Sequence, residues 1–397
     1  MKLLVLCSSL DLRYPASCTP AWWQLLKALR EIGTEVVAAP YQGPAIESPW
    51  WRCYDNPCRL EGDIFRRIKR LAGQARGPVG EEFRRKAKET PFEKFIRIAT
   101  RVWIRPKWQR HLHRILRDEG DVAAVLSLSV PPNHLVGLPR SIKRKHPIPF
   151  FFYDGDVPGS LPRFQGFALA FRIYKGADLS EYDGFFSNSQ GGIPELEALG
   201  ATNVYPLYYA ADPDLFAPVE TEQDIDVFFY GHGSEFRADW INAMIRQPSE
   251  AMPDVRFAVR ATGMDRLIGN AEALLYSSFS KLREYSHRSK INLCITRKAH
   301  TSVYASSSAR PFELAAMGCC IVSNPYLGIE EWFEPGKELL IVNNAEEAIE
   351  TYRDLLSHPD KRRALGKAAR ERVLQEHTYQ HRAREVVEVI VRTRGDG

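Results

Sequence analysis

Short apolar runs alternate along the chain with longer stretches in which apolar residues recur every three or four positions. Residues 2–7 (KLLVLC) read as a buried strand, 19–32 as a helix closed by Gly33, and 35–39 as a second strand. Strand, helix and strand in that order predict a parallel pair. Strand patterns return at 122–128, 148–153, 183–187 and 204–207. The turn-rich stretch AADPDLFAPV, residues 210–219, then marks a boundary, and the alternation restarts with strands at 226–230, 255–259, 291–295, 319–322 and 339–342. From Ala345 to Arg392 the pattern is helical. The fold predicted is α/β, with two Rossmann-like parallel-sheet domains, 1–215 and 216–376. A helical tail follows, and its last helix, 377–397, is expected to pack back toward the N-terminal domain. Ligands of open parallel sheets bind outside the carboxyl ends of the strands, so two such domains facing one another predict a cleft.

Composition agrees with this picture and narrows it. A chain of 397 residues, 44% of them hydrophobic, has material for two cores. It contains no run of about 18 apolar residues, the length a spanning helix needs. The start, MKLLVLCSS, reaches Asp11 and Arg13 without a cleavage pattern, which predicts a cytoplasmic protein. Of the seven cysteines, Cys7, Cys294, Cys319 and Cys320 lie in apolar runs; Cys53 and Cys58 sit close together in a loop-like stretch but lack a second pair of ligands, so no metal site is expected. No glycine stands between Cys7 and Tyr14, which removes the fingerprint of a dinucleotide site.

The net charge of +5 is unevenly spread. Residues 62–117 hold 17 Lys and Arg against 5 Asp and Glu, interleaved with Phe83, Phe92, Phe95, Ile96, Trp103 and Trp108 at spacings that suit amphipathic helices. This basic helical insertion reads either as solvated helix faces or as a surface for peripheral contact with anionic membrane at the inner face. Nucleic acid is not an expected partner, because no reading motif accompanies the charge.

The most distinctive stretch is SSSARPFELAAMGCCIVS, residues 306–323. A Ser-rich loop enters a short apolar helix with Pro311 in its first turn, Gly318 can end that helix, and a buried strand follows. The loop and the positive helix end make an anion site suited to phosphate. Glu313 fits such a site if it reaches past the phosphate to hydroxyl groups, and a nucleotide offers a diphosphate and a ribose together. The alternative is a local one: Ser308 a cap, Arg310 and Glu313 an exposed pair, Gly318 a stop.

The stretch from residue 226 onward resembles the nucleotide-binding half of the GT-B glycosyltransferases, in particular the CgeB-like group related to glycosyltransferase family 4 (group 1). The matching pieces are DVFFYGHGSEFR (226–237), SKINLCI (289–295), ARPFELAAMGCCIV (309–322), WFEPGKELLIV (332–342), LLSHPDKRRALGKAARERV (355–373) and HTYQHRA (377–383). Residues 174–189 and 198–218 are similar to what precedes the linker in that group.

The resemblance implies a hexosyl transferase that moves a sugar from a nucleotide-diphosphate sugar to a hydroxyl of a glycan, lipid-linked or small-molecule acceptor, with no cofactor and no metal. Charge on the leaving diphosphate must then be met by fixed donors. By resemblance the donor site draws on Gly231, His232 and Gly233, on Arg237 and Arg297, on Ser307, Ser308, Arg310 and Pro311, and on Glu313 for the ribose; Arg310 also acts in catalysis. The family carries a first glutamate eight positions before the second, where this chain has Ala305. Retention of anomeric configuration is a family-level expectation, and a catalytically silent nucleotide- or glycan-binding protein of the same fold is the alternative. On the acceptor side, Asp154 and Asp156 in FYDGDVPG are candidates to orient or deprotonate a hydroxyl, or else simply the residues of a turn. His134, after another strand end, is a further candidate.

Overall fold

The computed structural model describes residues 1–11, 21–64, 67, 91–164, 172–232, 237–262, 268–274 and 279–395. Two compact units divide at Leu207 and Tyr208, and the end of the last helix, Ala383–Gly397, belongs to the first of them. The predicted Phe83 and Gly233 lie outside the described residues, as do the side chains of Phe92 and His232.

The first unit is built on strands β1 (Lys2–Ser9), β2 (Glu35–Gln42), β3 (Arg52–Cys53), β4 (Val122–Leu128), β5 (Phe150–Asp154), β6 (Gly184–Ser187) and β7 (Val204–Pro206). They pair in the order β3-β2-β1-β4-β5-β6-β7, and every pairing is parallel. Strands buried on both faces read as continuous apolar runs, and FFFYD of β5 is buried at all five positions. Helices α1 (Ala21–Glu31), α2 (Pro91–Ala99), α3 (Arg105–Glu119), α4 (Leu138–Lys145) and α5 (Ile193–Ala198) belong to this unit. Between α2 and α3 the helix continues as a π turn, Thr100–Ile104.

Within the basic insertion the apolar residues divide. Trp108, Leu112, Ile115 and Leu116 are buried at helical spacing, and the Trp108 ring packs 5.6 Å from Tyr41. Trp108 is therefore a core residue and no part of a membrane-facing surface. Phe95 and Trp103, by contrast, stand in solvent, and Ile96 is half-buried.

The second unit repeats the plan with β8 (Ile225–His232), β9 (Phe257–Thr262), β10 (Glu272–Ala273), β11 (Ser289–Cys294), β12 (Ile321–Ser323) and β13 (Leu340–Ile341). Their order is β10-β9-β8-β11-β12-β13, again parallel throughout. Its helices are α6 (Ala238–Ile241), α7 (Gln247–Ala251), α8 (Phe279–His287), α9 (Lys298–Thr301), α10 (Ala309–Ala316), α11 (Ala345–Ser357), α12 (Pro359–Glu376) and α13 (Tyr379–Gly395), the last shared with the first unit. Among the described residues no helix is long and apolar enough to cross a membrane. The sheet order reverses direction between β8 and β11, so the carboxyl ends of these two strands flank the topological switch point, where ligands of open α/β sheets bind.

Helix α10 is placed by its ends. Ser308 caps the start in extended conformation, with Pro311 inside the first turn. At the other end Gly318 takes φ 73°; its N–H reaches Ala315 O at 2.8 Å, and the N–H of Cys319 reaches Leu314 O at 3.0 Å. This is the paired C-terminal bonding that requires a left-handed residue. Helix α12 lies against that end, with the Arg370 guanidinium donating to Ala316 O. The approach is so close that a Cβ on Gly366 would overlap the carbonyl oxygen of Gly318. Gly366→Ala is expected to destabilise the second unit by about 1–3 kcal/mol, the usual penalty for overpacking. Urea unfolding of the variant against wild type measures this, and an unchanged midpoint would refute the close packing.

Candidate functional site

The carboxyl end of β11 carries the centre of the site, the backbone carbonyl of Ile295. Arg237, at the start of α6, donates Nε to this oxygen at 3.0 Å, and Arg310, in the first turn of α10, donates Nη1 at 3.1 Å. Both nitrogens bond one atom, so they lie no more than about 6 Å apart. At an effective dielectric of 20 two charges at that separation repel by roughly 3 kcal/mol. Arg310 also stands in the first turn of its helix, where the helix dipole disfavours a cation. A bound anion relieves both penalties.

Arg310 is held by aromatic faces as well as by the carbonyl. Its guanidinium carbon lies 5.1 Å from the centre of the Phe229 ring and 5.0 Å from that of Tyr230, at the end of β8. Its Nε has no hydrogen-bond partner among the described residues. Gly231, the next residue of β8, is required by this arrangement: a Cβ there would come within 2.7 Å of Arg310 Nη2 and 3.0 Å of the Phe229 ring. The close approach that Gly231 permits is thus to the arginine itself.

Glu313 lies one turn further along α10, buried, with Oε2 accepting from the Tyr230 hydroxyl at 3.3 Å and Oε1 unpaired. Burial raises its pKa from an ordinary 4.5 to about 7, against the attraction of Arg310 and the bond from Tyr230. Tyr230 touches both groups, its ring under the cation and its hydroxyl on the carboxyl. The exposed pair of the local alternative is excluded, since Glu313 is buried.

The remaining predicted donor residues are placed as follows. Arg297 caps the short helix α9 and donates Nε to His300 Nδ1 at 2.9 Å. Burial, reinforced by Arg297 and Arg237, holds the His300 imidazole well below its ordinary pKa. Ser307 accepts the Tyr209 N–H at 2.9 Å, which ties the loop before α10 to the start of this unit. The Ser308 hydroxyl makes no cap bond to its helix, and Pro311 is buried. Ala305 adopts φ 44° and is fully buried in the core of the second unit, pressed so closely on Gly328 that a Cβ on the glycine would overlap the Ala305 backbone. The position eight before Glu313 is a core position in this chain.

In the first unit, Asp154 ends β5 and is buried with both oxygens engaged. Its Oδ1 accepts the Asp156 N–H at 2.9 Å, and its Oδ2 accepts the Ser160 hydroxyl at 2.5 Å and the Tyr174 hydroxyl. Burial raises its pKa despite these bonds. Asp154 thus organises the turn. Asp156, half-buried in that turn, presents the second carboxylate. His134 meets the Tyr41 hydroxyl through Nδ1 at 3.1 Å, and burial lowers its pKa to about 4, so it is neutral at pH 7.

Phe229, Tyr230 and the Ile295 carbonyl do not emerge from sequence reasoning as site components. The run DVFFYG reads only as a buried strand, and a backbone carbonyl carries no residue signature.

Residues 237–388 match the family model described as glycosyl transferase-like. Sucrose-phosphate synthase from Thermosynechococcus elongatus superposes with a TM-score of 0.64 at 13% identity, covering 100% of both chains. A glycosyltransferase from Rickettsia africae gives 0.60 at 11%, covering 100% of this chain and 99% of that one. The chain has the GT-B fold, and its residues 237–388 are glycosyl transferase-like. A third GT-B neighbour, HepE from Anabaena in complex with UDP, gives 0.59 at 12%, covering 98% of this chain and 100% of the other. No curated protein sequence matches the chain.

The Glu313 carboxyl makes stability depend on pH. Its folded pKa lies above its unfolded one, so the ionised form is the penalised form: no deficit exists below about pH 4.5, it grows as pH rises, and it is complete above about 7. Glu313→Gln is expected to stabilise the fold relative to wild type by up to roughly 3 kcal/mol at pH 8 and by little at pH 5, read as a higher melting temperature at pH 8 only. A gain of the same size at both pH values would exclude a titrating Glu313.

Proposed function

We propose that this GT-B protein transfers a hexosyl group from a nucleotide-diphosphate sugar to a hydroxyl of a glycan, lipid-linked or small-molecule acceptor. The observation that carries the reading is the convergence of Arg237 and Arg310 on the Ile295 carbonyl at the switch point of the second sheet. The diphosphate binds there, with Arg310 in forked contact and the start of α10 behind it. Glu313 receives the ribose hydroxyls through the oxygen that has no partner. Arg297, Ser307, Ser308, Pro311 and Gly231 shape the walls, and His232 and Gly233 are assigned to the same donor site.

In the transfer the acceptor oxygen bonds to the anomeric carbon while the bond from that carbon to the diphosphate oxygen breaks, its electron pair leaving with the nucleoside diphosphate. Arg310 stabilises the charge that develops there, in the place that a divalent cation takes in other transferases, and we assign a metal-independent, retaining reaction. The acceptor hydroxyl gives up its proton in the same step; in the first unit Asp156 is the candidate to orient or deprotonate a hydroxyl, and Asp154 holds its turn. A uridine donor is favoured by HepE, which is described with UDP-glucose, and by the E. coli trehalose-6-phosphate protein described with UDP-2-fluoro glucose. The reading as a silent binding protein is favoured by one observation, the buried Ala305 in place of the family's first glutamate.

Hydrolysis and transfer with UDP-, GDP-, ADP- and dTDP-sugars, in the presence of EDTA, decide between the two. Turnover with any donor supports the enzyme, while binding without release of nucleotide supports the silent protein. Arg310→Ala is expected to weaken UDP binding about 10- to 100-fold, the worth of a charge-assisted bond, and to leave uridine binding nearly unchanged. Glu313→Ala is expected to weaken both. Calorimetry that finds unchanged UDP affinity in both variants would remove the donor site from this position.

A further inference from the structure

Exposed large apolar side chains are concentrated in one part of this molecule. Among the described residues twelve such side chains stand in solvent, and six of them fall between Leu60 and Trp103. Four lie on the continuous helix that runs through α2 and the π turn: Phe95, Ile98, Val102 and Trp103, from 48% to 60% exposed. Phe95, Ile98 and Val102 follow at i, i+3 and i+7, one helical face. The π turn carries more residues per turn than an α-helix, and within it Val102 and Trp103 both emerge while Thr100 and Ile104 are buried.

The helix is fixed in this orientation by its opposite side. Ala99, Thr100 and Ile104 are buried, and Arg101 reaches across to Asn133 O at 2.9 Å and to Gly176 O. The apolar face therefore cannot turn inward without breaking these contacts. A neighbouring helical turn over residues 59–64 is tied to the same helix, through Cys58 Sγ to Ile104 O at 3.8 Å and an ion pair between Glu61 and Lys107. It adds exposed Leu60 and Ile64.

We infer that this face docks on an anionic lipid bilayer. The charge around it selects the occupant. Arg59, Arg67 and Lys94 are exposed beside the apolar residues, while the nearby acidic Glu61 and Asp63 are half-buried and Glu61 is paired with Lys107. Two copies of so cationic a surface repel one another, whereas anionic headgroups complement it. Aliphatic Ile98 and Val102 have no partner on a nucleic-acid backbone, but they suit the boundary between headgroups and acyl chains, and a Trp ring is favoured at that depth. The face lies in the first unit, and the inference stands apart from the donor-site reading.

Co-sedimentation of the full chain with phosphatidylglycerol/phosphatidylcholine vesicles, and with pure phosphatidylcholine vesicles, tests it. Wild type is expected to partition at least tenfold more strongly to the anionic vesicles, to weaken but remain bound on raising the salt from 0.1 to 0.5 M, and to show Trp fluorescence quenched by brominated lipid. The fourfold variant Phe95→Ser, Ile98→Ser, Val102→Ser, Trp103→Ser is expected to lose at least tenfold in partition while UDP affinity and melting temperature are retained, since all four side chains are exposed. Trp103→Phe keeps binding and loses most of the quenching, a readout that does not depend on the fourfold variant folding. Equal partition to both vesicle types, binding by the variant equal to wild type, or quenching unchanged in Trp103→Phe overturns the inference. So does light scattering that finds a wild-type dimer converted by the variant to a monomer with no vesicle binding, because the face is then an interface between copies.

Discussion

Two guanidinium groups sharing one backbone carbonyl is the constraint on which the site depends. Arg237 and Arg310 are drawn to the Ile295 oxygen at the carboxyl end of β11, and their mutual repulsion is tolerated because the carbonyl dipole holds both and two aromatic faces hold Arg310. Without an anion this is a region of concentrated positive charge at a helix start. The sheet supplies the location: strands that run in parallel bring their carboxyl ends to one edge, and the reversal of order between β8 and β11 opens a gap between flanking helices there. The charge is therefore a property of the fold as much as of the residues.

The packing around α10 keeps these groups in register. A left-handed Gly318 ends the helix, and Gly366 of α12 lets the two backbones meet where any side chain would hold them apart. At the other end Gly231 leaves room for Arg310 against β8. Small residues on either side of the helix thus set the position of its charged first turn. Glu313 is carried inward by the same helix, one turn from the arginine, into surroundings that leave its carboxyl half-neutral near pH 7.

Much of the architecture was legible in the chain because strand and helix periodicities differ and parallel strands are buried on both faces. The strands of five or more residues in both units, the helical end and the Gly318 stop all follow from local pattern. The two-residue strands β3 and β10 left no trace because, unlike the equally short β13, they consist of residues (Arg-Cys and Glu-Ala) that form no apolar run. Trp108 was misjudged for a related reason: its place among cationic residues suggested a surface, but its spacing to Leu112, Ile115 and Leu116 puts it on the inner face of α3. Asp154 lies where the sequence puts it, at a strand end, yet its bonds to Ser160 and Tyr174, the latter twenty residues away, make it the holder of a turn.

The sequence by itself determined the alternation of elements, the parallel sheets, the loop-to-helix turn with its arginine and glutamate, and the resemblance to GT-B glycosyltransferases. These rest on spacing within one element, which the order of residues specifies directly. Only the tertiary structure decided that Arg237 and Arg310 meet at Ile295, that Tyr230 links the cation to Glu313, that Ala305 is a core residue, and that Phe95, Ile98, Val102 and Trp103 face outward while Trp108 does not. Each of these joins residues far apart in the chain or chooses between two faces of one helix. Such choices are made by packing against the rest of the unit.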